Sequence, residues 1–439
     1  MFRLKTSKRA ALAVAVIAAL GSTTAFAQTD REAQLEARIA ELERMVGELV
    51  KQQAAAPAPA AAPAVPAGQQ PIQATTISTA ANPGTKFSYG GFIKVNNSLS
   101  DYSDGNPPAS GLIRDFNVPG VIPVGGVGES ATFDSHAKYS RFWLRTDTVL
   151  DSGDKLGSYF ELDFGVPTGG DERVTNRYNP SLRRGFLTYN NWLLGHEWSN
   201  FMELGALPES TDFVGPTEGM VFMRQAQIRY TSGPWSVSME NPASTIMPFG
   251  GGARIVPDES SLPDFTAKYT MRGDWGFLSV AGLLRQVSYD SPAVSDSVTG
   301  FGVSLTSKLM FGQDDLRLMA SAGTGIGRYV GINLFEDAVI DGSGDLDALD
   351  VIAAYASYRH VWGGTWRSNF TVGYASVDND RALTGLSANA EASSARVNLF
   401  WSPAPKFDLG VELSTVKREL ENGTSGTMNR LDFQAKYSF

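Results

Sequence analysis

Cysteine is absent from the 439 residues, which excludes a disulfide framework and a thiolate metal site. Histidine is almost absent as well. Only His136, His196 and His360 occur, too few for a metal site built on imidazole, and no motif for a metal, nucleotide or other cofactor appears. No Gly-x-Ser-x-Gly elbow is present. His136 stands alone near an outer strand end, with His196 expected in a tight turn and His360 near the opposite end of a strand. That set lacks the partners of a catalytic triad, so no enzyme is expected. Basic charge is outnumbered, 37 Lys and Arg against 46 Asp and Glu, which argues against a nucleic-acid partner. Past the N-terminus there is no apolar run of about 20 residues, the length a spanning helix needs. Any membrane role must therefore use strands.

The first 27 residues read as a leader. Arg3, Lys5, Lys8 and Arg9 precede the short apolar run Ala10–Leu20, and Ala25-Phe26-Ala27 supplies a small-x-small cleavage site. Cleavage after Ala27 would take four positive charges from a formal −9. Residues 28–52 form a second segment. Leu35, Ile39, Leu42, Val46 and Leu49 recur at spacings of four and three, a heptad seam that self-association would cover as a small coiled coil. Residues 53–85 are a spacer, alanine and proline rich from Ala54 to Pro71 and then polar.

From residue 86 to 439 the texture is period two. Leu431, Phe433, Ala435, Tyr437 and Phe439 alternate with Arg430, Asp432, Gln434, Lys436 and Ser438, giving one apolar and one wet face. Sixteen such segments begin near Phe87, His136, Gly157, Leu182, Trp198, Val221, Trp235, Asp264, Gly276, Gly300, Asp315, Leu349, Thr365, Asn389, Phe407 and Asn429. Short connectors such as Ser152-Gly153-Asp154, Gly195-His196-Glu197 and Gly273-Asp274 alternate with long ones such as Asp101–Ser135, Gly205–Met220 and Gly331–Ala348. A sheet that meets lipid must close, because an open edge leaves backbone groups unpaired in hydrocarbon. Even-numbered closure puts the short turns and both termini on the periplasmic side. The expected fold is all-β, a sixteen-stranded antiparallel transmembrane barrel with a short N-terminal coiled-coil helix, placed in the outer membrane of a Gram-negative cell. Aromatics at strand ends, among them Trp192, Trp198, Trp235, Trp275, Trp362, Trp366 and Trp401, suit interfacial girdles.

The same alternation assigns an inner face. It sends Arg141, Arg145, Arg229, Lys268, Arg285, Lys308, Arg317, Arg367, Arg396 and Lys436 inward, against fewer acids, chiefly Glu161, Asp163, Glu412 and Asp432. A charge facing lipid at mid-depth would cost about 2–4 kcal/mol, so parity alone sends each inward, but their excess predicts a basic wall that enriches anions. In general porins the third extracellular loop folds inward. By that resemblance Glu209, Asp212 and Glu218 of Gly205–Met220 would face the basic wall and set a transverse field.

Several stretches together resemble the DcaP-like trimeric porins of Gram-negative bacteria. They are the heptad helix with its Ala/Pro spacer, Phe87-Ser-Tyr-Gly-Gly-Phe-Ile-Lys-Val, Ser140-Arg-Phe-Trp-Leu-Arg-Thr-Asp-Thr, Gly195-His-Glu-Trp-Ser-Asn-Phe, Arg224-Gln-Ala-Gln-Ile-Arg-Tyr and the terminal Tyr437-Ser-Phe439. The resemblance covers nearly the whole chain after the leader. It implies a homotrimer of sixteen-stranded barrels with a periplasmic coiled coil, taking up small anions such as dicarboxylates, and it carries Arg141, Arg145 and Arg229 over as pore wall. A structural alternative stays open, a trimer whose coiled coil tethers the membrane to peptidoglycan.

Overall fold

The computed structural model describes residues 38, 40, 41, 44, 45, 48, 82, 84–109, 111–165, 178–257, 260–292 and 294–439. The chain divides into two compact units, residues 1–76 and 77–439. In the first, Arg38, Ala40, Glu41, Arg44, Met45 and Glu48 are helical and exposed, and Arg44 lies 3.6 Å from Glu48 one turn on. The seam positions Leu35, Ile39, Leu42, Val46 and Leu49, the leader and spacer residues 53–81 lie outside the described residues.

The second unit begins with β1 (Lys86–Tyr102), β2 (Thr132–His136), β3 (Arg141–Val149), β4 (Lys155–Asp163), β5 (Ser181–Tyr189), β6 (Trp192–Trp198), β7 (Arg224–Ser232) and β8 (Trp235–Glu240). It continues through β9 (Ile246–Met247), β10 (Asp264–Gly273), β11 (Gly276–Asp290), β12 (Ser295–Phe311), β13 (Asp314–Thr324), β14 (Ala338–Ile340) and β15 (Leu346–Ala348). The last strands are β16 (Asp350–Gly363), β17 (Trp366–Asp378), β18 (Asn389–Ala404), β19 (Phe407–Leu420) and β20 (Ser425–Ser438). Antiparallel neighbours run β1-β3-β4-β5-β6-β7-β8-β10-β11-β12-β13-β16-β17-β18-β19-β20, and β20 closes on β1 from Phe92↔Ser438 to Tyr102↔Met428. β2 pairs with β1 from Asn96 to Ser100 and β3 pairs with it from Lys86 to Phe92, so the two together make one stave of a sixteen-stave barrel. β9, β14 and β15 form a small separate sheet.

The outer face is apolar where the alternation puts it. Val303, Phe301 and Leu413 are each more than half exposed, as lipid-facing residues are in an isolated barrel. Near the short turns Trp366 stacks on Trp401 at 5.5 Å and Trp235 meets Tyr269 at 4.5 Å. Trp198 departs from the expected girdle. It is buried at the opposite end of its strand, edge-on to Phe222 at 4.8 Å.

That departure follows from a misplaced turn. Gly195-His196-Glu197 is not a connector but lies inside β6, with His196 paired to Gly185 and Ala226, and Trp198 ends the strand it was expected to begin. The chain reverses at Asn190-Asn191, where Asn190 takes φ 51°, a left-handed conformation that asparagine tolerates. The Asn190 side chain receives Lys155 N–H at 2.9 Å and donates to Asp154 at 2.9 Å. Donors from Asn190, Ser152 and Tyr189 hold the Asp154 carboxyl below its usual range.

The wall is uneven in height. β1 and β12 have 17 residues each and β18 has 16, whereas β6 has 7 and β8 has 6. At roughly 3.3 Å per residue and a tilt of roughly 40°, seven residues rise only about 18 Å, short of the apolar band of about 25 Å that such barrels present to lipid.

Inside, the strands offer mostly polar side chains, and three long connectors fill the space with their own apolar residues. Ile113 and Phe116, Phe201 and Met220, and Tyr329, Leu334 and Phe335 are all buried in one cluster with Tyr102, Tyr139, Met319 and Tyr355 from the wall. Among the described residues no helix is long and apolar enough to cross a membrane.

Candidate pore and constriction

The connector 199–223 leaves the top of β6 and runs inside the barrel along its taller half. Its contacts trace the path. Lys268 of β10 donates to Met202 O at 3.1 Å and meets Glu203 at 3.2 Å. Arg317 of β13 donates to Leu207 O at 2.5 Å and Tyr355 of β16 to Ala206 O at 2.9 Å. Arg367 of β17 grips both oxygens of Glu209 through Nε at 3.0 and 2.8 Å. Ser210 donates to Glu412 of β19 at 2.8 Å, and Lys94 and Asn96 of β1 each donate to Thr211 O at 2.8 Å. A loop pinned to strands this far apart in the chain narrows the lumen.

The three loop acids have different surroundings. Glu209 keeps partial exposure. Asp212 lies 3.6 Å from Arg396 and accepts from Asn117 N–H at 2.9 Å. Glu218 is fully buried and accepts from Asn117 at 3.3 Å and from Ser394. Asp212 and Glu218 therefore do not look across open water at a basic wall. A buried carboxylate needs partners, and these two find theirs in Arg396 and Ser394 of β18 and in Asn117 of the connector between β1 and β2.

The inner basic residues divide in the same way. Arg285 is wholly enclosed between Asp264 at 3.4 Å and Asp337 at 2.9 Å. Arg396 is equally enclosed beside Asp212 and Glu412. Neither reaches lumenal water. Arg229 donates to Gln227 at 2.8 Å and to Trp198 O. Arg145 is exposed near the turn side and pairs with Asp147 at 2.7 Å. Arg367 also meets Asp408 at 2.9 Å, and Lys436 lies 4.6 Å from the Phe92 ring. Lys308 and Arg317 share Asp315, at 3.7 and 2.6 Å, with Arg359 at 2.8 Å.

Arg141 belongs to a group only partly visible in the alternation. It lies 3.6 Å from Glu161 and 4.0 Å from Asp163. Arg183 bridges the same acids at 3.0 and 2.6 Å. Arg184 meets Glu197 at 2.5 Å and covers the Tyr159 ring at 4.5 Å. Arg224 covers Trp198 at 4.9 Å and donates to Arg183 O. Four arginines thus stand against three acids, and Arg141 and Arg184 keep 22% and 23% of their surface in water. Phe213 of the constricting loop packs 5.0 Å from the Arg183 guanidinium. The register shifts between Glu161 and Leu162, leaving Arg183 as an extra residue. A bulge of this kind breaks strict alternation, so both Arg183 and Arg184 reach the acids. The adjacent pair Arg183-Arg184 was the available signal, since two neighbouring arginines in one strand cannot be sorted by parity. Glu197 was hidden by the misplaced turn.

A family model described as DcaP outer membrane protein matches residues 19–439. Among solved structures, the outer membrane channel DcaP of Acinetobacter baumannii is 26% identical, covers 82% of this chain and 99% of its own, and superposes with a TM-score of 0.68. The anion-selective porin from Comamonas acidovorans is 11% identical over 81% of this chain and 100% of its own, TM-score 0.51, a likeness of fold alone. No curated protein matches the sequence.

Proposed function

The chain belongs to the DcaP outer membrane protein family, and from that premise we propose that this outer-membrane channel passes small hydrophilic solutes by passive diffusion with a preference for anions such as dicarboxylates. The observation that carries the preference is the arginine corner, four guanidiniums against three carboxylates beside the constricting loop, with Arg141 and Arg184 reaching water. In a low-dielectric barrel one uncompensated positive charge focuses potential and raises the local anion concentration. Arginine adds paired hydrogen bonds to a carboxylate. No step needs a cofactor or a catalytic group.

Single channels of the purified protein in a planar bilayer test this reading. Under a salt gradient the reversal potential should have the sign for anions. Arg141→Gln should lower the anion-over-cation permeability ratio by about threefold or more, while Arg183 keeps Glu161 and Asp163 paired. A cation-selective wild type would sink the preference but leave the channel. Absence of any conductance would leave only a structural tether.

The oligomer we propose is a trimer, exported after cleavage at Ala27 and held in part by the heptad helix. The low wall supports it. β6 and β8 are too short to meet the whole apolar band, and irregular backbone above them would face hydrocarbon unless another copy covered it. Along this wall His196 points outward between Gly185 and Ala226, with no hydrogen bond to its ring among the described residues. A photo-crosslinking residue at Leu194 should therefore link copies, and one at Val303 on the tall wall should not. The reverse pattern would place the contact elsewhere.

A further inference from the structure

We propose that Lys308, Arg317 and Arg359 form a second anion subsite, separate from the arginine corner, that receives the carboxylate or phosphate oxygens of a solute at the periplasmic mouth. The proposal deepens the channel reading and rests on it. Lys308 on β12 and Arg317 on β13 are directly opposed on the inner face, and Arg359 on β16 is directly opposed to Asp315 on β13. Like charges placed opposite each other weaken a sheet, and one carboxylate serves all three cations here. Asp315 is fully buried and already engaged by Arg317 at 2.6 Å and Arg359 at 2.8 Å. Lys308 stands off at 3.7 Å and makes no hydrogen bond among the described residues. Holding Asp315 in place needs one base. The other two cations keep 25% and 24% of their surface in water, at the lumenal side.

Neighbouring charges do not cancel the excess. Lys268 is matched by Glu203, and the pair Arg367 and Lys436 by Glu209 and Asp408. The group sits within a few residues of the turn at Gly312-Gln313, whereas Arg141 and Arg183 lie toward the loop ends of β3 and β5. The two basic sites therefore occupy different walls and heights, β3–β7 and β12–β16. A guanidinium and an ammonium flanking open water suit an oxyanion that each can approach from one side. Such a solute passes from the upper site to the lower one, since two moderate sites let it leave more readily than one deep one.

Malonate is the probe. In single channels carrying chloride current, malonate added to either side in turn should block the wild type from both. Lys308→Gln should raise the half-blocking concentration about tenfold from one side only, the loss expected for one charged hydrogen bond. Lys308→Arg should keep the block. Arg141→Gln should weaken the block from the other side. A wild type blocked from fewer than two sides, or a Lys308→Gln channel that keeps both blocks or weakens both equally, would overturn the subsite. A cation-selective reversal potential would instead fail the anion reading itself, so the two failures are told apart.

Discussion

Replacing Arg285 with methionine should destabilise the barrel by about 3–5 kcal/mol, the cost of leaving buried charge without its partner. Arg285 is fully enclosed and lies between two acids that are also fully enclosed, Asp264 and Asp337. It donates to Gly325 O at 2.9 Å as well, so it ties the connector 325–349 to the wall through both backbone and charge. Arg328 remains 3.5 Å from Asp264. Asp337 would keep only neutral donors, the amide and hydroxyl of Thr245 at 2.8 and 3.2 Å and the amide of Arg328 at 2.9 Å. The urea midpoint of the folded band on a semi-native gel measures the effect. Adding Asp337→Asn to the methionine variant should recover part of the loss, because the stranded carboxylate is then gone. A midpoint unmoved by Arg285→Met would mean that water reaches this cluster.

The second large effect is expected at Gly373. A Cβ at this position on β17 would lie 2.2 Å from Glu218 Oε1 and 3.0 Å from Pro216 Cβ, distances that ordinary contacts do not reach. Glu218 is fully buried and held by Asn117 and Ser394, so it has nowhere to swing. Gly373→Ala should lift this end of the constricting loop from the wall and cost about 1–3 kcal/mol, as overpacking does. Single-channel conductance should rise with it. Glu218→Ala removes the clashing atoms, so Gly373→Ala should add little on that background, and a double-mutant cycle measures the coupling. Full additivity of the two changes would show that glycine is there for another reason.

Much of the barrel was legible because its determinant is local. Period-two alternation needs only neighbours in sequence, and it yields sixteen staves and the inward direction of Lys308, Arg317 and Arg367. It failed where one residue broke the period. The bulge at Arg183 put two consecutive arginines beside the same acids, and glycine at 195 drew the turn away from Asn190. It also undercounted inner acids, because Asp264 and Asp315 open their segments, where the alternation has only just begun, and both are buried on the inner side. The basic excess is consequently smaller than alternation implies and gathers at two places. That the acids of 205–220 face inner bases was an expectation from general porins, and Glu209 and Asp212 do meet Arg367 and Arg396, but which base each meets was not legible. Glu209 meets Arg367 across 158 positions of sequence, and no local pattern encodes such a meeting. The heptad seam belongs to residues the structure does not describe, and it stays a proposal.

The closing seam has a consequence for assembly in time. β1 and β20 pair over eleven positions, Phe92↔Ser438 through Tyr102↔Met428, and they are the first and last strands of the sheet. Until they meet, both are open edges, each a template for pairing with another chain. The contact separates residues by most of the chain, so its loop-closure cost falls late and its formation is slow. The barrel thus has no shorter intermediate with all its backbone paired. The edge of β1 therefore stays open until the fourteen-residue β20 arrives, and repulsion between chains that each carry more acid than base opposes their pairing edge to edge in that interval.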